Sequence, residues 1–362
     1  MKKFLSSIVA VLFLAATAFS AGIAPAVSIP AVLLAASLGN VVTGVHTAAA
    51  IDYTDLASAL GAYYRQNDDG VMSQLMLGMD IEDRISVLDG VKDEQPLIHS
   101  VTGDLVKPGG DPTSFSATAN AFDLQPRVLK VRPWKIDLTF YPQLMERQWL
   151  GYLKSNGSDP TEMPFAEFFF NEITKKANEN IRLSALFGGS YNGAGTAPAD
   201  IFDGFLEIIA DEITATNITP VATGAVSSGT VIGDIEDTYD NLHEAAKGVP
   251  GIILVSPTLF DWYVRAYRST HGANGDYTGM AQGKVPLDGS MYMITREPGL
   301  ASSQRIIATT VENLVYGVDT AGEENTVRVE QNRRAIDVMV DAKGGVQFRD
   351  ISTRALSVND QA

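Results

Sequence analysis

The segment from Pro164 to Phe187 limits the possible folds more than any other part of this sequence. Its apolar positions recur at steps of four, which places them in one stripe along a helix. Pro164 suits the first turn of a helix, and Gly188-Gly189 suits its end. The pattern predicts the longest helix of the chain, roughly 35 Å from end to end. The stripe comprises Phe165, Phe169, Ile173, Ala177, Ile181 and Ala185.

A period-two pattern precedes this helix and returns near the C-terminus. Trp134, Ile136, Leu138 and Phe140 alternate with charged or polar residues, which predicts a half-buried strand. The tail TVRVEQNRRAIDVMVDAKGGVQFRDIS is also typical of strands, with a turn expected at Gly344-Gly345. We expect this tail to pair with the strand at 134–140.

Residues 96–127 predict a β-hairpin. The arms LIHSVTGDLV and TSFSATANAF flank KPGGDP, and the Pro-Gly-Gly-Asp-Pro stretch is a turn signal. The arms lack a strong hydrophobic face, so the hairpin cannot bury much of itself. We therefore expect it to need a neighbour, with another subunit as one candidate.

Residues 51–95 have a helical, amphipathic pattern. Tyr53, Leu56, Leu60 and Tyr64 follow helical spacing, and a Met-rich segment follows at VMSQLMLGM. Methionine stripes usually pack in a core or against a partner.

Residues 200–320 alternate between helix and strand signals and predict a compact α/β unit. We expect Asp200 to cap IFDGFLEIIADEI and Asp234 to cap IEDTYDNLHEAAK. Ser256-Pro257 should start TLFDWYVRAYRST, and Gly272 should end it. The expected strands are GIILV, MYMIT and RIIATT.

The first 50 residues differ in composition from the rest. They contain Lys2 and Lys3 and no acidic residue, whereas all 43 acidic residues of the chain follow position 50. Phe4 to Phe19 resembles the apolar region of a secretion signal, and Ala18-Phe19-Ser20 and Ala48-Ala49-Ala50 offer small residues for cleavage. Pro25 and Pro30 interrupt the next apolar stretch, which makes it a poor spanning helix. A removed signal, a retained anchor, a propeptide and an alternative start all remain open.

The sequence contains no recognisable catalytic site. The net charge of −16 is poorly suited to holding phosphate backbones, and the absence of cysteine excludes thiolate nucleophiles and cysteine-bound metals. None of the four histidines lies at metal-ligand spacing with another. GGSYNG at 188–193 fails the nucleophile-elbow pattern because Asn192 occupies the second glycine position, so a loop is predicted. We expect no catalytic, cofactor-binding or metal-binding residues, no cofactor and no enzymatic activity.

The order of these elements and the residues that form them resemble one family of proteins. RVLKVRPWKIDLTFYPQLMERQWLGYL followed by PFAEFFFNEITKKANENI resembles the major capsid proteins of tailed phages (Caudoviricetes), of the kind found in phages of Bacteroidetes. IFDGFLEIIADEI, NITPVATGAV, ILVSPTLFDWYVRAYRSTHG and GDYTG are similar to the central region of the same family. The resemblance covers about residues 51–350 and implies an α+β fold of the Hong Kong 97 type.

The resemblance also implies a role for each segment. After the apolar leader at 1–50, residues 51–95 would form an N-terminal arm and residues 96–130 an extended hairpin loop across a neighbouring subunit. Residues 131–199 and 321–362 would form a peripheral domain with 164–187 as its spine helix. Residues 200–320 would form an axial domain.

The implied function is that of a structural, self-assembling subunit of an icosahedral shell. Its partners would be copies of itself in hexamers and pentamers, with portal, scaffold or decoration proteins as further candidates. The shell would enclose double-stranded DNA without sequence-specific binding, in a virion assembled in the host cytoplasm, with no membrane contact after leader removal. Two alternatives stay open: an encapsulin-like nanocompartment shell, and an exported periplasmic or secreted protein with a functional signal peptide.

Overall fold

The fold is given by a computed structural model that describes residues 60–61, 75, 81, 83–102, 105–106, 122–141, 165–272, 279–301, 303–319 and 326–361. The leader at 1–50 and the predicted turn at 107–112 lie outside them. The described residues form an α+β architecture with two five-stranded sheets and a two-stranded hairpin. The helices are α1 (Phe165–Asn180), α2 (Phe205–Thr214), α3 (Val231–Asp240), α4 (Glu244–Lys247) and α5 (Pro257–His271). The strands are β1 (Ser86–Leu88), β2 (Glu94–Thr102), β3 (Phe122–Lys130), β4 (Arg132–Phe140), β5 (Gly251–Val255), β6 (Lys284–Pro286), β7 (Tyr292–Arg296), β8 (Ile307–Thr309), β9 (Leu314–Val318), β10 (Thr326–Asn332), β11 (Ala335–Phe348) and β12 (Leu356–Val358).

The first sheet is built around β11. This strand pairs antiparallel with β4 from Ile336 opposite Phe140 to Gly344 opposite Arg132, which confirms the predicted pairing of the tail with 134–140. β10 and β9 pair with β11, and β1 adds to β9 in parallel. The apolar members of the β4 alternation lie towards the core, and the phenyl rings of Phe140 and Phe169 stand 4.5 Å apart.

The turn predicted at Gly344-Gly345 is wrong. β11 runs straight through both glycines, and the turn lies at Arg333-Arg334, where Arg333 has φ of 58°. Gly345 is required by close packing, because a Cβ there would overlap the carbonyl oxygen of Lys130, and a Cβ on Gly344 would lie tightly against the hydroxyl of Tyr316. The glycine pair therefore marks a place where the chain between β3 and β4 passes against β11.

The helical interpretation of 51–95 is wrong for residues 83–95, and most of 51–82 lies outside the described residues. β1 and the start of β2 fall within it, after one tight turn in which Arg84 and Ile85 donate to the carbonyl of Ile81. Ile81 and Ile85 are buried four residues apart, as in a helix, but β1 then gains its hydrogen bonds from β9. Pairing with β9, which is distant in the sequence, therefore overrides the local helical spacing of the apolar residues.

The long helix is confirmed, with one irregularity. α1 continues into a π-helical turn at Ile181–Ala185, where the amide of Leu186 donates to the carbonyl of Ile181 at 2.9 Å. Phe169, Ala177, Ile181 and Ala185 of the predicted stripe are buried in the core cluster of the first sheet. The stripe therefore packs on the sheet as its spacing predicts.

The second sheet has the strand order β12-β8-β5-β7-β6. β5 and β7 run parallel and are linked through α5, and the predicted strands GIILV, MYMIT and RIIATT correspond to β5, β7 and β8. Ser256 accepts a hydrogen bond from the amide of Leu259, and Gly272 follows the last residue of α5, as predicted. Alternate residues of β5 face two different apolar clusters, so the sheet is buried on both faces.

Two predicted helix caps are displaced. Asp200 ends a short 3-10 turn and accepts from the amide of Ala197, while α2 begins after Gly204, whose Cα lies against the carbonyl of Phe187. Asp234 lies inside the first turn of α3, which starts after Thr230. That helix ends at Asp240, and α4 is a separate turn that His243 caps.

The final strand joins the second sheet. Leu356–Val358 pairs antiparallel with β8, and Asn359 accepts from the amide of Ile306. Residues 321–362 are therefore divided: β10 and β11 belong to the first sheet, and β12 belongs to the sheet formed by 251–309.

Candidate functional site

The three described histidines lie on different elements, His99 on β2, His243 before α4 and His271 at the end of α5, and His46 lies outside the described residues. His243 accepts from the amide of Ala245 at 3.1 Å, and the His271 ring lies 4.3 Å from the Tyr267 ring. Ser190 lies in the predicted loop and donates to Glu207 at 3.4 Å. In the part of the chain that the structure describes, no three His, Cys, Asp or Glu residues are grouped so that they could hold a metal ion.

The hairpin of β2 and β3 is the most unusual surface of the described chain. Its arms pair antiparallel from Glu94 opposite Lys130 to Thr102 opposite Phe122. This pairing confirms the predicted hairpin; β3 is the described part of its second arm, and the predicted arm residues 113–121 lie outside the described residues. Because side chains alternate between faces, the register gives the hairpin one inward and one outward face.

The outward face is apolar and unpartnered among the described residues. Three of its side chains are more than half exposed: Ile98 at 57%, Phe122 at 63% and Leu124 at 53%. Val128 is 41% exposed and lies opposite Pro96, and Ile98 lies opposite Pro126. The expectation of a weak hydrophobic face concerned arms at 97–106 and 113–122; Leu124, Pro126 and Val128 lie beyond these arms on β3, and the register gathers them with Ile98 on one side. We call this surface the outward face; it comprises Pro96, Ile98, Phe122, Leu124, Pro126 and Val128.

The inward face holds the hairpin to the first sheet. Leu97 and Leu129 are buried there. Arg127 donates to Glu212 of α2 at 2.7 Å, to the Phe348 carbonyl at 3.1 Å and to Gln347 at 3.1 Å. Burial disfavours the charged form of Glu212, but hydrogen bonds from Asn217 and Arg127, and the Arg127 charge, outweigh it and hold the pKa of Glu212 below its ordinary value of 4.5.

The Arg127–Glu212 pair makes hairpin anchoring dependent on pH. The unfolded carboxyl takes up a proton as the pH falls through about 4.5, whereas the folded one stays charged to lower pH. The pair's contribution is thus complete above pH 4.5 and is lost as the pH falls through the lowered pKa. We expect Glu212→Gln to reduce the free energy of unfolding by about 1–2 kcal/mol at pH 7 and by progressively less below pH 4.5.

Urea unfolding of unassembled subunits from pH 7 to pH 3 measures this difference. The matched control is Glu94→Gln, which breaks the exposed ion pair between Glu94 and Lys130 on the outward side of the same hairpin. Exposed pairs contribute about 0–1 kcal/mol, so little change is expected. A Glu212→Gln deficit that stays constant down to pH 3 would contradict the assignment.

His99 lies beside Arg127 on the inward face. Its Nε2 atom is 3.6 Å from the carboxylate of Asp350, and its buried Nδ1 atom has no hydrogen-bond partner among the described residues. The Asp350 carboxylate itself accepts from the amide and hydroxyl of Ser352. His99 therefore faces the turn formed by Asp350 and Ser352.

A groove of about 1240 Å³ runs beside β4 and α1. Trp134, Ile136, Ile173 and Ile181 supply apolar walls, and Lys135, Asp137, Lys176 and Lys343 line its polar parts. Its described lining contains no histidine, cysteine or serine. The groove therefore presents both apolar and charged side chains.

The buried carboxylate of Glu297 connects three segments of the chain that are far apart in the sequence. Glu297, 1% exposed at the end of β7, accepts from Arg84 at 2.7 Å and lies 3.7 Å from Arg182 in the π-helical turn. The amide of Gly299 also donates to it at 3.2 Å. Nearby, Lys284 of β6 pairs with Asp83. The residues before β1 are therefore tied to the second sheet by ion pairs, while β1 itself belongs to the first sheet.

Searching the described residues for a helix long and apolar enough to cross a membrane finds none.

No family model matches the sequence, and no curated protein matches it. Solved structures do match. A chain in the satellite phage P4 procapsid, solved with its size determination (Sid) protein, is 13% identical over 85% of this chain and 97% of that chain, with a TM-score of 0.52. A chain of the cyanophage A-1(L) capsid is 11% identical over 80% of this chain and 92% of its own, with a TM-score of 0.49. A chain of the holo-SrpI encapsulin complex from Synechococcus elongatus PCC 7942 is 14% identical over 79% and 88%, with a TM-score of 0.43.

Of these three, only the satellite phage chain exceeds a TM-score of 0.5. At 13% identity this likeness shows the fold and no more. The described part of the chain therefore has an α+β fold of the phage major capsid kind.

Proposed function

We propose that this chain is a structural shell subunit that assembles into the icosahedral head of a tailed phage. The single observation that carries this proposal is the outward face of the hairpin. Isolated apolar side chains on a surface are common, but a contiguous exposed apolar surface usually marks an interaction site. On a capsid-type fold, the simplest partner for that surface is another copy of the chain.

The proposal assigns a Hong Kong 97-type organisation, as the resemblance to capsid proteins of Bacteroidetes phages implies. Residues 51–95 form the N-terminal arm, and 96–130 the extended loop that lies across a neighbour. Residues 131–199 with β10 and β11 form the peripheral domain, with α1 as its spine helix. Residues 200–320 form the axial domain, and the pairing of β12 with β8 supports adding β12 to it.

The net charge of the chain supports a role in enclosing DNA and argues against a role in binding it. With a net charge of −16, the subunit cannot neutralise phosphates uniformly, so DNA is enclosed without sequence-specific contacts. The partners proposed are copies of the chain in hexamers and pentamers, together with portal, scaffold or decoration proteins. No enzymatic step is assigned to the subunit.

The experiment described below also distinguishes two other functions. An encapsulin-like shell would form closed particles without DNA-packaging genes nearby. An exported protein is favoured by MKKFLSSIVAVLFLAATAFS, which has the basic start and apolar run of a secretion signal.

Expression of the full chain, followed by negative-stain electron microscopy and intact-mass measurement, tests the proposal. We expect closed shells whose subunits lack residues 1–50, since that leader departs from the pattern of the capsid family. Neighbouring terminase and portal genes would exclude the encapsulin-like reading. Dispersed periplasmic monomers cut after about Ser20 would overturn the shell proposal and favour export.

A further inference from the structure

Two buried polar atoms of the first sheet have no hydrogen-bond partner among the described residues. They are the hydroxyl of Tyr316 on β9 and the indole Nε1 of Trp134 on β4. Tyr316 is 0% exposed and Trp134 is 8% exposed. A polar group that is buried without a partner destabilises the fold, because it has given up its hydrogen bonds to solvent. Buried polar groups that lack a protein partner are commonly satisfied by an ordered internal water.

The two side chains meet above Gly344 of β11. Trp134 lies opposite Ala342, and Tyr316 lies opposite Val346. Gly344 is midway between these two positions of β11, and residues that are two apart in a strand share a face. That face is the one in the apolar core cluster, which contains Trp134 and Tyr316. The two rings therefore flank Gly344 from the strands on either side of it.

Gly344 leaves room between the two polar atoms. A Cβ at this position would lie 3.3 Å from the Tyr316 hydroxyl oxygen, 3.4 Å from the Trp134 Nε1 atom and 3.5 Å from a ring carbon of Phe202, and these are its nearest neighbours. For a carbon such contacts with polar atoms are tight. An oxygen can instead approach the same two atoms to about 3 Å as a hydrogen-bond partner. The position therefore suits a small polar group better than an apolar one.

We propose that Gly344, Tyr316 and Trp134 form a binding site for one buried water molecule. The water accepts a hydrogen bond from the indole N–H of Trp134, which can only donate. It forms its second hydrogen bond with the Tyr316 hydroxyl, which can donate or accept. Burial raises the pKa of Tyr316 above its ordinary value of 10.0, so the hydroxyl is neutral at pH 7. Glycine is then required at position 344 because a side chain would take the place of the water.

The water also fixes one wall of the groove beside β4 and α1. Trp134 lines that groove, while its Nε1 atom is buried and turned away from solvent. An acceptor held in the core gives the indole ring one preferred orientation, because its N–H points to the water. The site lies within a single subunit, so it does not depend on the proposed function.

Tyr316→Phe distinguishes a bonded hydroxyl from an unpartnered one. Removing a hydroxyl that binds the water should raise the equilibrium constant of unfolding about fivefold. Removing an unpartnered buried hydroxyl should lower that constant. Urea unfolding of the unassembled full-length chain at pH 7 measures it. Tyr292→Phe is the matched control, because the Tyr292 hydroxyl donates to the carbonyl of Ala246 at 3.2 Å and its loss should raise the constant by a similar factor.

Gly344→Ser and Gly344→Ala test which kind of group the site accepts. Alanine would displace the water and leave both polar atoms without a partner. The serine hydroxyl can take the position of the water oxygen and bond to the same two atoms. We therefore expect the equilibrium constant of unfolding to be about fivefold lower for the serine variant than for the alanine variant, although serine is larger. An apolar site would reverse this order.

A high-resolution crystal structure of the unassembled full-length chain completes the test. We expect one water about 3 Å from both the Tyr316 hydroxyl oxygen and the Trp134 Nε1 atom. A hydroxyl bonded directly to the indole, a Tyr316→Phe subunit more stable than the natural one, or an alanine variant more stable than the serine variant would each overturn the proposal. The crystal structure uses the natural sequence, so it decides the question even if neither Gly344 variant folds.

Discussion

Replacing Ile98, Phe122 and Leu124 with threonine should give folded subunits that no longer close into shells. These three side chains are each more than half exposed on the outward face of the hairpin, so they contribute little to the subunit's own core. Burying what remains exposed would stabilise a contact by about 1 kcal/mol per side chain. Their loss should weaken each contact by more than about a hundredfold, and a shell repeats that contact in every subunit. Light scattering and negative-stain microscopy measure the outcome.

Threonine is chosen because it should remove the apolar contact between subunits without unfolding the hairpin. Threonine is β-branched and suits a strand, so the hairpin should keep its pairing and its melting temperature. The matched control is Ile98→Val with Phe122→Leu and Leu124→Ile, which keeps the face apolar and should assemble normally. Shells of ordinary size and yield from the threonine triple would rule out the outward face as an assembly contact.

The sequence predicts elements well where the signals are local. The strand GIILV followed by the Ser256 cap, α5 and Gly272 is recovered closely, because each signal acts within one or two turns of chain. The pairing of β4 with β11 is recovered because both strands alternate clearly between apolar and polar residues. Such an alternating pattern can be recognised in each strand by itself, because it requires only that one face of the strand is buried in a core.

The sequence patterns miss the features that depend on contact with a segment far away in the chain. Gly344-Gly345 has the composition of a turn, but Gly345 allows the close passage of Lys130, which no local pattern reports. The outward face is hidden for the same reason. Each arm carries few apolar residues, and Ile98 meets Pro126 only once the register is known. Likewise, nothing around Glu297 in the sequence REPG indicates that its carboxylate is buried between two arginines.

Glu297→Ala should be among the most destabilising single substitutions in the chain. The side chain is 1% exposed and faces Arg84 and Arg182, whose side chains are only 12% and 21% exposed. Removing the carboxylate takes a buried negative charge away from two poorly hydrated arginines, of which Arg84 keeps Asp83 at 3.5 Å, and breaking a buried pair costs about 3–5 kcal/mol. The Gly299 amide also loses its acceptor. Urea unfolding of unassembled subunits at pH 7 measures the loss.

Glu297→Gln and Glu94→Ala separate the causes of this loss. Glutamine keeps the shape and an oxygen acceptor for Gly299 but removes the charge, so it should recover only part of the stability. Glu94→Ala breaks an ion pair whose members are 49% and 55% exposed, and it should cost less than about 1 kcal/mol. If Glu297→Ala costs no more than Glu94→Ala, the two arginines are satisfied by water, and the residues before β1 are held by β1 pairing and apolar contacts alone.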